Sequence, residues 1–352
     1  MELSAFDHPF LSGLLGDEEI GEQLSAAADI AAMLAFEAAL ARAESLHGII
    51  PAEAAARIAE VCAVLAPDVD ALKAATGRDG VAVPELVRQL RAAVGGATAA
   101  HVHFGATSQD AIDTSLMLRL TRVIGILDAR LAGLVARLGE LDAMFGQSAF
   151  MGRTRMQAAI PIKVGDRLRA WSEPLGAHRT RLVGLRLPVQ FGGAAGTLDK
   201  LGDKGAAVRA TLAGELGLAD LPQWHSQRAI IAEIGHVLSL VSGGLGKMGQ
   251  DIALMAQSGE SIALSGGGGS SAMPHKQNPV AAETLVALAR FNAVLAGGLH
   301  LSLIHEQERS GAAWTLEWLI LPQMAMASGA GLRLAADLVA SIQRLGPGEA
   351  ET

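Results

Sequence analysis

Between Leu116 and Leu141 the chain sets a large apolar residue at Leu116, Leu120, Val123, Leu127, Leu131, Leu134, Leu138 and Leu141, in steps of 4, 3, 4, 4, 3, 4 and 3. Alternating threes and fours keep one stripe of an α-helix apolar over its whole length. One helix from about Gln109 to Phe145 follows, on the order of 50 Å long at 1.5 Å per residue. A rod of that length cannot cover its own stripe, so it has to pack on other rods.

A second seam runs through Ile230, Ile234, Val237, Val241, Leu245, Met248, Ile252 and Met255. "KVGDRLRAWSEPLGAHRTRLVGLRL" predicts a third long helix, kinked at Pro174, and residues 280–305 and 312–342 predict a fourth and a fifth. Aromatics make up 3% of the chain and Tyr is absent, which favours helix over sheet. The expected fold is therefore all-α, a bundle of about five long helices over residues 107–345. Residues 1–106 form a separate N-terminal helical domain, with Ser25 as an N-cap, Gly48 as a stop, and Pro51 and Pro84 opening helices. Gly243, Gly244, Gly246, Gly297 and Gly298 fall within the helical pattern, where close helix approach explains them. So much apolar helix surface exceeds what one chain covers, and a symmetric oligomer is expected.

The net charge of −8 and the absence of a basic stripe argue against nucleic acid. Cys62 is the one cysteine, on an apolar helical face, so neither a disulfide framework nor a CxxC metal site is possible. His101 and His103 have no third ligand at a metal-binding spacing, and no metal is expected. "MELSAFDHPF" lacks the form of a signal peptide. The longest uncharged run, between Glu317 and Arg333, is interrupted by Pro322 and Gln323, so no membrane span is expected and the cytoplasm is the expected location.

Three loops flank the long helices: "GATSQD", "GRTRMQ" and "SGGGGSSAMPHKQNP". Thr107, with Asp110 three residues on, has the form of an ordinary helix cap. The same helix N-terminus, with its free N–H groups and dipole, also suits an anion. Asn278-Pro279 reads as a cap and first-turn proline beside Lys276, which adds positive potential there.

"GSSAMPHKQNP" resembles the signature loop of the fumarase/aspartase superfamily, and "TSQD" and "GRTRMQ" resemble its first and second conserved regions in order and separation. The resemblance implies a homotetrameric helical core with four active sites, each built from loops of three subunits, and no cofactor. It also implies a catalytic Ser270, with Lys276 and Asn278 holding a substrate carboxylate. Thr107, Ser108, Gln109, Arg153, Thr154, Gln157, Ser271 and Met273 are then expected around the substrate, joined by His225 and Arg228 of "PQWHSQR". Proton exchange next to a carboxylate passes through a doubly charged, enolate-like species, and preorganised donors at such a charge are worth about 3–4 kcal/mol each. The glycines then let the loop close as a lid.

The resemblance also implies that most superfamily members releasing an amine or water have Thr-His in the second loop, with the His paired to a Glu seven residues after the signature Lys. Glu283 is present here, but Arg155 stands where the His would be, and the two are expected to form a structural ion pair. "MLAFEAALARAESLHGIIP", "PQWHSQR" and "ERSGAAWTLEWLILPQ" resemble the cycloisomerases of the superfamily. That branch implies addition of a carboxylate to its own molecule, on a small anionic tricarboxylate substrate. The alternative, a lyase of the adenylosuccinate or argininosuccinate type, would lack its usual acid. A non-catalytic helical scaffold would have no need of Ser270, Lys276 and Asn278 together. The C-terminal helical domain usual in relatives is expected to be absent or truncated.

Overall fold

A computed structural model describes residues 4–269, Met273 and residues 277–347. Short helices α1 (Ser12–Leu15) and α2 (Glu18–Gln23) lead into α3 (Ala26–Leu46), α4 (Ala52–Val64), α5 (Val69–Asp79) and α6 (Val83–Val94). Their ends are set locally. Ser25 Oγ accepts the Ala28 N–H at 3.2 Å, Gly48 takes φ +65° just past α3, and Pro84 occupies the first turn of α6.

The first seam becomes α7 (Ser108–Phe145), 38 residues without a break, about 57 Å at 1.5 Å per residue. All eight seam residues are buried. Truncating one, Leu127→Ala for instance, would cost ~2–5 kcal/mol through lost burial and a residual cavity. An antiparallel hairpin follows, β1 (Ala149–Thr154) with β2 (Gln157–Lys163), and then α8 (Val164–Val183), α9 (Gly205–Leu216) and α10 (Ala229–Ser258). β3 (Ile262–Leu264), α11 (Val280–Leu301), α12 (Gly311–Ala340) and β4 (Ile342–Leu345) complete the chain, with β4 antiparallel on β3.

The bundle consists of α7, α8, α10, α11 and α12, the five long helices expected. The described residues contain twelve α-helices in all, because shorter ones build the rest. In the second seam Ile234 through Met255 are buried and Ile230 is half-buried. Two of the seam glycines mark close approaches, since a Cβ would lie 2.5 Å from Ala289 Cβ at Gly246 and 2.4 Å from Ile320 Cδ1 at Gly298. Gly243 and Gly297 face open space instead. Helices α10 and α11 are long and apolar enough to cross a membrane, but α10 is packed against α8, α11 and α12 in the bundle.

The described residues form two apolar cores. One fills the bundle and takes in Phe6 and Ile20 from the N-terminal segment. The other joins α3, α4 and α6 to Val189, Phe191, Leu198, Val208 and Leu212. Packing therefore crosses position 106 in both directions: the first helices lie on the bundle, and the 189–213 stretch lies on the N-terminal helices.

Candidate active site

At the N-terminus of α7, Thr107 and Ser108 are half-buried and Asp110 is fully buried. Asp110 closes a capping box by accepting the Thr107 N–H at 3.0 Å, so the ordinary cap is real, but the carboxylate has three more donors. Gly192 and Gly193 each give it an N–H at 2.9 Å, and His225 Nε2 lies 2.7 Å from Oδ1. A Cβ at Gly192 would fall 2.7 Å from the His225 ring, so the loop backbone can come this close only as glycine. Four polar groups thus surround the Asp110 carboxylate, and His225 Nδ1 is buried with no hydrogen-bond partner among the described residues.

Gln109 differs from expectation. Its side chain is fully buried with both ends engaged: Nε2 donates to the His225 carbonyl, and Oε1 accepts from Arg309 Nε, each at 2.9 Å. It arranges the site and is not free to meet a substrate. Arg228 is likewise corrected. It is buried between Asp113, at 2.6 and 3.1 Å, and Glu317, at 2.9 Å, with its guanidinium 4.5 Å from the Trp224 ring centroid. Trp314 Nε1 also donates to Asp113 at 2.9 Å. The planar guanidinium meets two carboxylates and an aromatic face at once, an arrangement Lys cannot reproduce. Burial raises the proton affinity of Glu317 even though Arg228 opposes it.

The second loop is a hairpin. Arg155 and Met156 form its two-residue turn with φ of +47° and +66°, the left-handed pair that matches the twist of the strands. Tight hairpins usually place Asn or Gly there, and neither is present, so the turn carried no sequence signal. Arg153, Thr154, Arg155 and Gln157 are all exposed, and Arg153 lies 3.5 Å from Glu260. Arg155 and Glu283 do not pair within one chain, and both are exposed. The expected structural ion pair is thus not formed within the protomer.

The third loop leaves β3 and returns to α11, and its stem is clasped by reciprocal Gly268 and Asn278 backbone hydrogen bonds, both at 2.9 Å. A Cβ on Gly268 would meet Val280 Cγ2 at 2.4 Å. Pro279, not Asn278, is the N-cap residue of α11, because Asn278 is committed to this clasp. Asn278 and Glu283 line a cleft of about 940 Å³ together with Gln250, Gln257 and Asp337. Met273 is exposed. Ser270, Ser271 and Lys276 lie outside the described residues.

The motifs fall into two groups. Thr107, His225 and Arg309 gather where α7, α10 and α12 begin, whereas the hairpin and the described stem of the third loop gather where α7 and α10 end. Helix α10 alone has 30 residues, which separates the groups by about 45 Å at 1.5 Å per residue. Arg309, Asp113 and Glu317 were missed from the sequence. The weak signal available was "ERS" just ahead of the apolar run of α12, where Ser310 Oγ accepts the Ala313 N–H at 3.2 Å.

A family profile described as "Lyase" matches residues 17–292. The chain is similar to 3-carboxy-cis,cis-muconate cycloisomerase of Bradyrhizobium diazoefficiens, 39% identical over 342 residues, covering 94% of this chain and 76% of the relative. It is also similar to the enzyme of that name from Pseudomonas aeruginosa, 42% identical over 323 residues, covering 88% of this chain and 70% of the relative. Among solved structures, the crystal structure of 3-carboxy-cis,cis-muconate lactonizing enzyme from Pseudomonas putida superimposes with a TM-score of 0.88 at 35% identity, covering 95% of this chain and 77% of that one.

Proposed function

The chain belongs to the lyase family of the fumarase/aspartase superfamily, and from that membership we propose that it is a cycloisomerase interconverting 3-carboxy-cis,cis-muconate and 4-carboxymuconolactone. One carboxylate oxygen of the substrate adds to a carbon of its own diene, and the carbon next to another carboxylate takes up a proton. No group leaves, so no acid is needed to protonate an amine or water. The observation that carries this reading is Arg155 at the exposed tip of the hairpin, in the place where amine-releasing members have an imidazole. The attacking carboxylate is already ionised at neutral pH, since such groups titrate near pH 4.

In this reading Ser270 delivers the proton, and Lys276 and Asn278 hold the carboxylate on which charge develops. Thr107, Ser108, Arg153, Thr154, Gln157, Ser271 and Met273 surround the substrate, with His225 on the floor. No cofactor takes part, and the enzyme works in the cytoplasm. Members of the superfamily are homo-oligomers. A tetramer in which three subunits share each site accounts for the separation of the two motif groups within one chain, because neighbours packed antiparallel bring opposite ends together. Val294, Leu301, Ile304 and Leu319, each at least 60% exposed, are suited to such a contact.

The test is turnover. Purified protein is mixed with 3-carboxy-cis,cis-muconate and loss of diene absorbance is followed, with adenylosuccinate in a parallel cuvette. Consumption of the muconate alone supports the proposal, and consumption of adenylosuccinate alone overturns it.

A further inference from the structure

The β1–β2 hairpin carries Arg153, Thr154 and Gln157 away from the bundle, and of its strand residues only Gly152 is buried, with Phe150 and Ile162 half-buried. A two-stranded hairpin that covers neither face is marginal by itself in water, so its contacts with the bundle decide where its tip stands. Phe150 and Ile162 are register partners near its base, and Phe150 packs against the bundle core. The Arg167 guanidinium of α8 lies 5.4 Å from the Phe150 ring centroid, within reach of a cation–π contact. The same guanidinium is held from α10 by Asp251, with Nη1 3.2 Å from Oδ2. That oxygen is fixed in turn, since Trp171 Nε1 donates to it at 2.8 Å and Lys247 Nζ donates to it as well.

We propose that Arg167, held by Asp251 and set against the Phe150 ring, fixes the angle at which the hairpin leaves the bundle, which makes it a positioning residue for Arg153, Thr154 and Gln157. Phe150 stands four residues before Thr154, about 13 Å at 3.3 Å per residue. A tilt of about 10° at the ring would therefore move the tip by about 2 Å, and a displacement of that size is enough to spoil substrate alignment. The strand register shifts between Met151 and Arg153, where a Cβ on Gly152 would lie 2.9 Å from the Ile160 carbonyl oxygen. An irregularity of this kind re-aims the side chains beyond it. The anchored ring sets the root of the hairpin, and the shift at Gly152 sets the direction of the tip.

Hydrogen exchange read by mass spectrometry on peptides covering residues 149–163 reports the hairpin without reference to turnover. Arg167→Met leaves Asp251 bonded to Trp171 and Lys247, and Phe150→Leu keeps an apolar side chain on the core, so both variants should fold. Each should speed exchange in the hairpin about fivefold with α7 unchanged, and the double variant should exchange no faster than either single one. Lys247→Ala, which removes a different donor to Asp251, should leave hairpin exchange as in the wild type. Exchange that is unchanged in both single variants, that multiplies in the double variant, or that rises equally in α7 or in Lys247→Ala would overturn the proposal. In Arg167→Met and Phe150→Leu the KM for 3-carboxy-cis,cis-muconate should also rise about fivefold while kcat moves less, because Ser270 stands on a different loop. An unchanged KM beside a loosened hairpin would overturn the substrate role of Arg153, Thr154 and Gln157 and leave the anchor standing. The KM arm rests on the proposed reaction and the exchange arm does not, so failure of one reading is distinguishable from failure of the other.

Discussion

Asp110 and His225 meet at 2.7 Å in a space from which both side chains are sealed, and this contact ties the start of α7 to the turn that precedes α10. Asp110→Asn keeps the shape but offers one acceptor oxygen to four donors and turns an NH2 toward the rest. Urea unfolding should show a loss of about 3 kcal/mol. A change within about 0.5 kcal/mol, the range usual for surface sites, would mean that the carboxylate does not organise this end of the bundle.

Arg228 answers to two buried carboxylates, so removing it should be worse than removing either partner. Arg228→Met is expected to lower stability by ~3–5 kcal/mol by leaving both acids uncompensated. Arg228→Lys should recover only part of that, since an ammonium cannot bridge Asp113 and Glu317 while stacked on Trp224. Thermal denaturation of the three proteins ranks them. Equal melting of the Lys variant and wild type would contradict the account.

Much of this was legible in the sequence, and the limits have physical causes. The seam of α7 was readable to within a residue because eight apolar positions repeat with one period over 38 residues. The hairpin was not, since its turn uses Arg155 and Met156 at positive φ and its strands are exposed on both faces. Gln109 and Arg228 were read as substrate contacts because polar residues in conserved-type motifs suggest ligands. Only the three-dimensional arrangement shows that Asp113, Glu317 and Arg309, distant in the chain, already occupy them.

Stability should also depend on pH through Glu44, which is wholly buried with neither oxygen hydrogen-bonded. Burial, with Glu37 adding to it, pushes its carboxyl up to about 9. The folded state thus binds a proton that the unfolded state releases near 4.5, so the stabilisation is fully present below that value and declines as pH rises through 9. The decline cannot exceed about 1.4 kcal/mol per pH unit for one proton. Glu44→Gln should flatten the curve of unfolding free energy against pH between roughly 5 and 9. An unchanged slope would show that Glu44 is ionised in the fold.

If active sites combine opposite ends of neighbouring chains, a defect at each end should be curable by mixing. Ser270→Ala and Thr107→Val are each expected to be nearly inactive. Subunit exchange between them should restore partial activity at sites that draw both loops from intact parents, with the protein running as a tetramer on sizing. No recovery under conditions where exchange is demonstrated would contradict shared sites.

The central claim is ring closure with no departing group, and proton NMR of the reaction mixture in deuterium oxide tests it most directly. Incubated with 3-carboxy-cis,cis-muconate, the protein should convert the diene to a single lactone that carries one deuterium on the carbon next to a carboxylate, and Ser270→Ala should lower that rate by about 10²-fold or more. An untouched diene at high enzyme concentration, or a lactone that forms with no deuterium on that carbon, would contradict the account.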